Sequence, residues 1–332
     1  MDQPLLKLHW ERFKAHVDLD VNTAAKLIAP ILSDHIERLD LLSEGCANTN
    51  YKVNFKNNRL PVVIRIYMRE NSALQREIAI HKLVAVHMPV PEYFYADDQC
   101  IIYPYAYAIV EWIDGTLMRE VVLSRDTDSI SQSLFSAGKY LDELRKITFS
   151  YGGFFQEDLK IRSFAPEEKY YPYVCSLLED QIVRDSLGEP LLKKVSSLVK
   201  NYSNLLPDEN IANLTHGDYD PANMLVKEVN GKWQIASILD WEFAFSGTYL
   251  LDMGLMLRYS HKLPSCYEQS FIAGVQNNGF KLPFHWKKQA KLMDLLCLLQ
   301  LTHYNPMSVR PKLNRDVVSL IDNTIVNWND YQ

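Results

Sequence analysis

The pattern of apolar and polar residues predicts strands in the first third of the chain. Tyr51 to Phe55 alternates apolar and polar positions, residues 56–59 are polar, and Pro61 to Tyr67 is rich in β-branched side chains. These two runs and the polar segment between them predict a β-hairpin. The aromatic and β-branched run from Cys100 to Trp112 predicts a further strand.

One helix is predicted between those strands. Ser72 and Gln75 have the spacing of a capping box at a helix start. Pro89 and Pro91 follow closely, and proline cannot continue a helix, so the helix is expected to end after Met88.

Helical periodicity dominates the rest of the chain, interrupted by a compact group of strands near residues 211–241. The pattern changes from mostly strands to mostly helices at the Asp114-Gly115 turn. We therefore expect an N-lobe of residues 1–113 and a larger C-lobe of residues 114–332. The predicted C-lobe helices are about Ser129 to Ile147, Tyr170 to Arg184, Leu191 to Tyr202, Trp286 to Tyr304 and Arg315 to Trp328.

Composition narrows the class of protein. The 332 residues carry a net charge of −6 and are 47% hydrophobic, which is typical of a globular protein with a sizeable core. No run approaches the ~18 uncharged apolar residues that span a bilayer, and no signal peptide is visible, so no membrane partner is expected. The pI near 5.9 argues against a nucleic-acid partner. Five widely spaced cysteines without a CxxC motif indicate reduced thiols and a cytoplasmic location.

The strongest chemical signal is His216-Gly217-Asp218, followed by Asn223 and later by Ile238-Leu239-Asp240. Asn230-Gly231 lies between them and is the preferred centre of a two-residue hairpin turn. A turn centred there pairs Asn223 with Ile238. The hairpin would then bring Asn223 and Asp240 together at its open end, beside Asp218.

Three oxygen-bearing side chains at one point suit a hard divalent cation. Mg²⁺ is usually bound by one or two protein groups, with phosphates and water completing its shell. A carboxylate that does not bind the metal can accept a proton from an attacking hydroxyl. Each of these residues taken alone could equally cap a turn, but their conjunction at this spacing favours a functional site.

Two charged residues of the N-lobe are expected to pair. Glu77 shares a helix face with Ala73, Ile80 and Val84, where an unpaired carboxylate would be costly. Arg65 is embedded in a β-branched strand and also needs a partner. A plain structural salt bridge is one explanation of such a pair.

These motifs, together with Leu251-Asp252-Met253-Gly254, resemble the aminoglycoside phosphotransferase and choline-kinase-like family of small-molecule kinases. The resemblance is specific from Thr215 to Gly254 and weaker from about Leu42 to Leu301. It implies an α+β, protein-kinase-like bilobal fold with a small antiparallel-sheet N-lobe and a larger, mainly helical C-lobe. It also implies transfer of the γ-phosphate of ATP or GTP, with Mg²⁺, to the hydroxyl of a small molecule.

The resemblance assigns roles to individual residues. Asp218 corresponds to the catalytic base, and Asn223 and Asp240 to the Mg²⁺ ligands. Arg65 and Glu77 correspond to the pair that orients the nucleotide phosphates, although most of the family carries Lys at the position of Arg65. Four further residues are assigned by the same resemblance: Asn48 in the loop 43–50 to the phosphates, the main chain of Glu111 and Ile113 to the nucleotide base, and Asp252 to support of the catalytic loop. His216 is interpreted as a structural residue that supports the same loop and does not transfer protons. Asp220 stands where many relatives have His.

Three other functions share part of this pattern. A kinase of protein Ser/Thr side chains would use the same catalytic residues. A nucleotide-binding regulatory protein would lack turnover, although the set of kinase residues is complete here. A metal-dependent hydrolase would use His216, Asp218 and Asp240, but only one histidine belongs to that cluster. The sequence carries no signal for the oligomeric state.

Overall fold

The computed structural model describes residues 5–42, 47–57, 59–68 and 72–331, with the backbone alone for residue 72. The predicted capping box of Ser72 and the first half of the loop 43–50 therefore lie outside the described residues. None of the helices in the described ranges is long and apolar enough to cross a lipid bilayer.

The N-lobe is built on a five-stranded antiparallel sheet. Its strand order is β1-β2-β3-β5-β4. The predicted hairpin is confirmed, with Arg65 on the second strand opposite Asn50 on the first. The elements before Asp114 are α1 (Val21–Ile28), β1 (Ile36–Leu42), β2 (Thr49–Phe55), β3 (Val62–Ile66), α2 (Ser72–Val84), β4 (Tyr93–Asp97) and β5 (Tyr107–Glu111).

Two N-lobe elements are shorter than predicted. Helix α2 ends at Val84 instead of Met88, because the chain turns there and the Pro89 carbonyl accepts a hydrogen bond from the Ile238 amide, 2.9 Å away. The strand predicted from Cys100 is restricted to Tyr107–Glu111. Residues 98–105 form bends instead, where the Asp97 carboxylate accepts hydrogen bonds from the amides of Gln99 and Ile102.

The C-lobe is mainly helical, as predicted, so the α+β fold class is confirmed. Its largest hydrophobic core is shared by the long helices and the strands near residue 230. The elements after Ile113 are β6 (Thr116–Leu117), α3 (Met118–Leu123), α4 (Thr127–Leu144), β7 (Gly153–Phe155), β8 (Ile161–Ser163), α5 (Tyr170–Glu179), α6 (Gln181–Tyr202), β9 (Asn213–Thr215), β10 (Met224–Val229), β11 (Lys232–Ile238), β12 (Phe245–Gly247), α7 (Tyr249–Met256), α8 (Cys266–Val275), α9 (Trp286–Tyr304) and α10 (Pro311–Val326).

Helices α4 and α10 begin and end a few residues earlier than predicted, and the largest difference from the predicted bounds lies between Tyr170 and Tyr202. The helices predicted from Tyr170 and from Leu191 are divided differently, as α5 and α6. The break falls at Asp180, whose carboxylate accepts a hydrogen bond from the Val183 amide and so begins α6. A kink at Gly188, with φ of 68°, then lies inside α6. The Asp180 cap therefore sets the boundary between α5 and α6.

The hairpin β10–β11 carries the motif strands. Asn230 and Gly231 both have positive φ, as the predicted turn requires. The predicted register holds from Val229↔Lys232 to Val226↔Ile235, but a β-bulge follows and Ile238 pairs with Met224 instead of Asn223. The register prediction was therefore wrong by one residue at the open end, because β11 contains one residue more than its partner there.

Candidate active site

A cavity of about 720 Å³ lies between the sheet of the N-lobe and the hairpin β10–β11 of the C-lobe. Most of the predicted site residues line it, from both lobes: Arg65, Glu77, Glu111, Ile113, Asp218, Asn223 and Asp240. The chain therefore brings together residues that are up to 175 positions apart.

Asp218 and Asn223 are joined within the loop that precedes β10. The side-chain nitrogen of Asn223 donates to Oδ2 of Asp218 at 2.8 Å and to the Asp218 carbonyl at 2.9 Å. The Asp218 side chain is 25% exposed, towards the cavity. A carboxylate that is fixed by an amide but still open to a ligand can accept a proton.

Arg65 joins two carboxylates from different lobes. Its Nη2 lies 3.3 Å from Oε1 of Glu77 and 2.6 Å from Oδ1 of Asp240. The Tyr67 hydroxyl donates to the other oxygen of Glu77 at 2.8 Å. Burial raises the pKa of Glu77, an effect that Arg65 opposes. The expected pairing of Arg65 with Glu77 is therefore present, and Asp240 is a second partner that the sequence did not suggest.

His216 and Asp252 lie behind the catalytic loop. The Asp252 carboxylate accepts hydrogen bonds from the amides of His216, at 2.8 Å, and Gly217, at 2.9 Å. Burial raises the pKa of Asp252 to about 7, although these two amides lower it. Burial also lowers the pKa of His216, whose Nε2 contacts the Leu239 carbonyl at 3.0 Å and whose Nδ1 accepts from the Asp218 amide. Both residues therefore contact the loop backbone rather than the cavity.

The remaining predicted residues, Asn48, Glu111 and Ile113, lie on the N-lobe side of the cavity. Glu111 ends β5, and its carboxylate accepts a hydrogen bond from the Glu92 amide at 3.2 Å. Ile113 follows and lines the cavity with its neighbours. Asn48 is buried, and its side-chain oxygen accepts from the Met68 amide at 3.3 Å. Ala47 and Asn50 line the cavity, whereas Asn48 does not.

The N-terminal segment, defined here as residues 5–14, contributes a residue that the sequence did not reveal. Lys7 lines the cavity and places its ammonium 2.7 Å from Oδ1 of Asp218 and 3.1 Å from Oδ2 of Asp220. Burial lowers the pKa of Lys7, but the two carboxylates raise it above its ordinary value. The only signal in the sequence was Asp220, a second acid two residues after Asp218 that requires a cation.

The donor set fits a hard divalent cation that also binds phosphate. No group of three or more His, Cys, Asp and Glu side chains within the described ranges could hold a metal alone. Asn223 and Asp240 line the same cavity, however, and Mg²⁺ commonly takes only one or two protein ligands. Arg65 supports the same interpretation, because its Nε is buried without a hydrogen-bond partner in the described part of the chain.

The fold is that of the kinase-like aminoglycoside phosphotransferases. The chain is 15% identical to APH(4)-Ia in a ternary complex with AMP-PNP and hygromycin B, with a TM-score of 0.67, 92% of this chain covered and 99% of that chain. It is 13% identical to aminoglycoside 2'-phosphotransferase-IIIa in a GDP complex, with a TM-score of 0.70. The similarity covers 93% of this chain and 99% of that chain. A GDP and kanamycin complex of APH(2")-IIia is similar at 15% identity and a TM-score of 0.68. This similarity covers 93% of this chain and 99% of that chain.

The sequence matches the phosphotransferase enzyme family over residues 38–284. The chain belongs to this family, and it is a kinase. No curated protein matches its sequence.

Proposed function

We propose that this enzyme transfers the γ-phosphate of ATP or GTP, with Mg²⁺, to a hydroxyl group of a small molecule. The observation that carries the proposal is the Asp218 carboxylate, fixed by Asn223 and partly exposed to the same cavity as Arg65 and Asp240. Solved neighbours bind AMP-PNP with hygromycin B, or GDP with kanamycin, which supports a nucleotide donor and a small acceptor.

Asp218 is the proposed base. An acceptor hydroxyl within hydrogen-bond distance of its carboxylate would transfer its proton there as the oxygen attacks phosphorus. Asn223 already donates to Oδ2, so the side chain is held in one orientation before the acceptor binds. His216 and Asp252 hold the loop backbone, and the base therefore does not have to be positioned during the reaction.

Asn223 and Asp240 are the proposed ligands of Mg²⁺, which when bound would neutralise phosphate charge. Asp240 is now paired with Arg65 at 2.6 Å, so metal binding would take this carboxylate from the guanidinium. Arg65 would then direct its nitrogens to phosphate oxygens, which it can bind as a bidentate fork.

The nucleotide base is proposed to bind against the main chain of Glu111 and Ile113. Both residues line the cavity at the end of β5, where the chain passes from the N-lobe to the C-lobe. The lobe boundary proposed at Ile113 places this contact at the hinge. Asn48, in turn, is proposed to shape the phosphate loop through its bond to the Met68 amide.

A small acceptor is favoured over a protein substrate because the N-terminal segment crosses the cleft. Glu11 accepts hydrogen bonds from the amides of Lys312 and Leu313 in the C-lobe, while Arg12 donates to the carbonyls of Ala47 and Asn48 in the N-lobe. A cleft bridged in this way is closed to an extended peptide on that side.

The test is a phosphate-transfer screen with Mg-ATP and Mg-GTP. Aminoglycosides, amino alcohols, sugars and a generic protein serve as acceptors, and Asp218→Asn is the matched inactive control. We expect transfer to at least one small hydroxyl compound and none to the protein. Phosphorylation of the protein alone would favour the protein-kinase alternative. The absence of both transfer and nucleotide turnover would favour the regulatory alternative.

A further inference from the structure

We infer that Lys7, carried by the N-terminal segment, is a positioning residue of the catalytic site. Its ammonium lies between two carboxylates, 2.7 Å from Asp218 and 3.1 Å from Asp220. The inference rests on the proposed function, because it assigns Lys7 the task of fixing the proposed base.

Asp220 is the reason that a cation is needed here. Its side chain is 3% exposed, and Oδ1 accepts a hydrogen bond from the Ala222 amide at 2.7 Å, while Oδ2 faces Lys7. A buried carboxylate is costly without a partner of opposite charge. Asp218 has the same charge and would repel Asp220 if the ammonium were absent. Lys7 therefore holds two acids together that would otherwise move apart.

Lys7 and Asn223 together immobilise the proposed base. Lys7 contacts Oδ1 of Asp218, and Asn223 donates to Oδ2 at 2.8 Å. A carboxylate offers about four lone-pair sites, so these two contacts still leave acceptor capacity for a hydroxyl. The part of Asp218 that faces the cavity is where that hydroxyl would bind.

The rest of the N-terminal segment is anchored so that Lys7 reaches this position. Leu6 is buried in the core of the C-lobe, and the Trp10 indole donates to Asp316 at 2.9 Å. Glu11 accepts from the first amides of α10 at 2.8 and 3.1 Å, and the Arg310 guanidinium donates to the Glu11 carbonyl. Lys7 is therefore fixed from both sides along the chain.

The backbone of this segment is strained. Leu6, Lys7 and His9 have φ of 52°, 62° and 66°, a left-handed conformation that is unfavourable for residues with a Cβ atom. Such strain persists only where the surrounding contacts enforce it, and it is concentrated at functional sites.

The test is the Lys7→Ala variant, assayed with the acceptor identified for the wild-type enzyme. We expect kcat to fall by about 10- to 100-fold, because a displaced base loses that much rate, with the KM for the nucleotide unchanged. Ethylammonium chloride should restore part of the rate by occupying the position of the missing ammonium, whereas sodium chloride at equal ionic strength should not. Lys160→Ala, which removes an exposed lysine paired with the exposed Asp158, is the matched control and should behave as wild type.

A second pair of variants, Asp220→Asn with and without Lys7→Ala, tests the same role if the single variant Lys7→Ala fails to fold. Asp220→Asn removes the buried charge that needs Lys7, so Lys7→Ala/Asp220→Asn should fold. We expect the double variant to be slower than Asp220→Asn alone and to respond to ethylammonium. Thermal unfolding of all variants identifies those that are folded.

The outcomes separate the two proposals. A wild-type enzyme with neither transfer nor nucleotide turnover overturns the proposed function and the role of Lys7 with it. An active wild type with an equally active or faster Lys7→Ala overturns the role of Lys7 alone, and a faster variant would identify the segment as an inhibitor. A loss of rate that ethylammonium reverses in neither background makes Lys7 purely structural, which also overturns the inference.

Discussion

Arg65 and Asp240 form an ion pair of 2.6 Å that joins a strand of the N-lobe to the loop after β11. Because Glu77 shares the same guanidinium, one cation faces two carboxylates from different lobes, and this cluster carries one excess negative charge. A divalent cation that binds Asp240 would offset this excess and free the guanidinium to contact phosphate oxygens.

Removing Arg65 should destabilise the fold as well as the site. Arg65→Met leaves Glu77, whose side chain is 2% exposed, without its cation. We expect the free energy of unfolding in urea to fall by ~3–5 kcal/mol, as for other broken buried pairs. Arg38→Met is the control, because Arg38 pairs with Asp40 at the surface and its loss should cost less than ~1 kcal/mol. Equal losses in the two variants would contradict this argument.

Asp240→Asn should abolish the dependence of nucleotide binding on Mg²⁺. The variant loses the charge that attracts the metal, so the nucleotide affinity measured with Mg²⁺ should fall by at least about tenfold. In EDTA the variant should bind the nucleotide as tightly as wild type or more tightly, because Arg65 no longer pairs with residue 240 and can contact the phosphates. Calorimetric titration under both conditions measures this, and a wild-type response of Asp240→Asn to Mg²⁺ would exclude it as a ligand.

Asp218→Asn should separate chemistry from nucleotide binding. The variant keeps the shape of the side chain but cannot accept the hydroxyl proton, so kcat should fall by about 10²- to 10⁴-fold. The nucleotide affinity should change by less than about twofold, since Asp240 and Arg65 are untouched. Comparable losses of rate and of nucleotide affinity would argue that Asp218 binds the metal instead of serving as the base.

Gly217→Ala should disrupt the catalytic loop. Gly217 has φ of 79°, and a Cβ atom there would lie 2.4 Å from the Phe243 carbonyl oxygen. Gly231→Ala is the matched control, because φ is 75° but nothing lies within 4 Å of the added atom. We expect Gly231→Ala to lower the free energy of unfolding by only ~1–2 kcal/mol, which is the cost of a left-handed backbone for a residue with a Cβ atom. Gly217→Ala should lower the free energy of unfolding by more and should also lower kcat. The unfolding free energies of the two variants and their rates check this.

Local sequence predicted much of the site because its residues lie in short motifs. The Asn230-Gly231 turn places β10 beside β11, and this alone brings Asn223 near Asp240. The pairing of Arg65 with Glu77 followed from the cost of burying either charge alone. Helix α9 was also predicted with the bounds that the structure has, since no capping residue interrupts its apolar pattern.

The features that escaped prediction depend on long-range contacts. The bulge in β11 is set by packing and not by the turn, so the register could not be predicted beyond Val226. Lys7 lies 211 residues from Asp218, and nothing near Lys7 in the sequence indicates that partner. The second partner of Arg65, Asp240, is distant in the same way.

The anchoring of the N-terminal segment on α10 also sets the order in which the site can be completed. Glu11 and the Lys312 amide that it accepts from are 301 residues apart. At roughly 5–20 residues per second, a ribosome needs about 15–60 s to synthesise that interval. During this time the two acids of the catalytic loop can already be folded while α10, which holds Lys7 in place, is still missing. The contacts that anchor the N-terminal segment on α10 can therefore form only after α10 has been made.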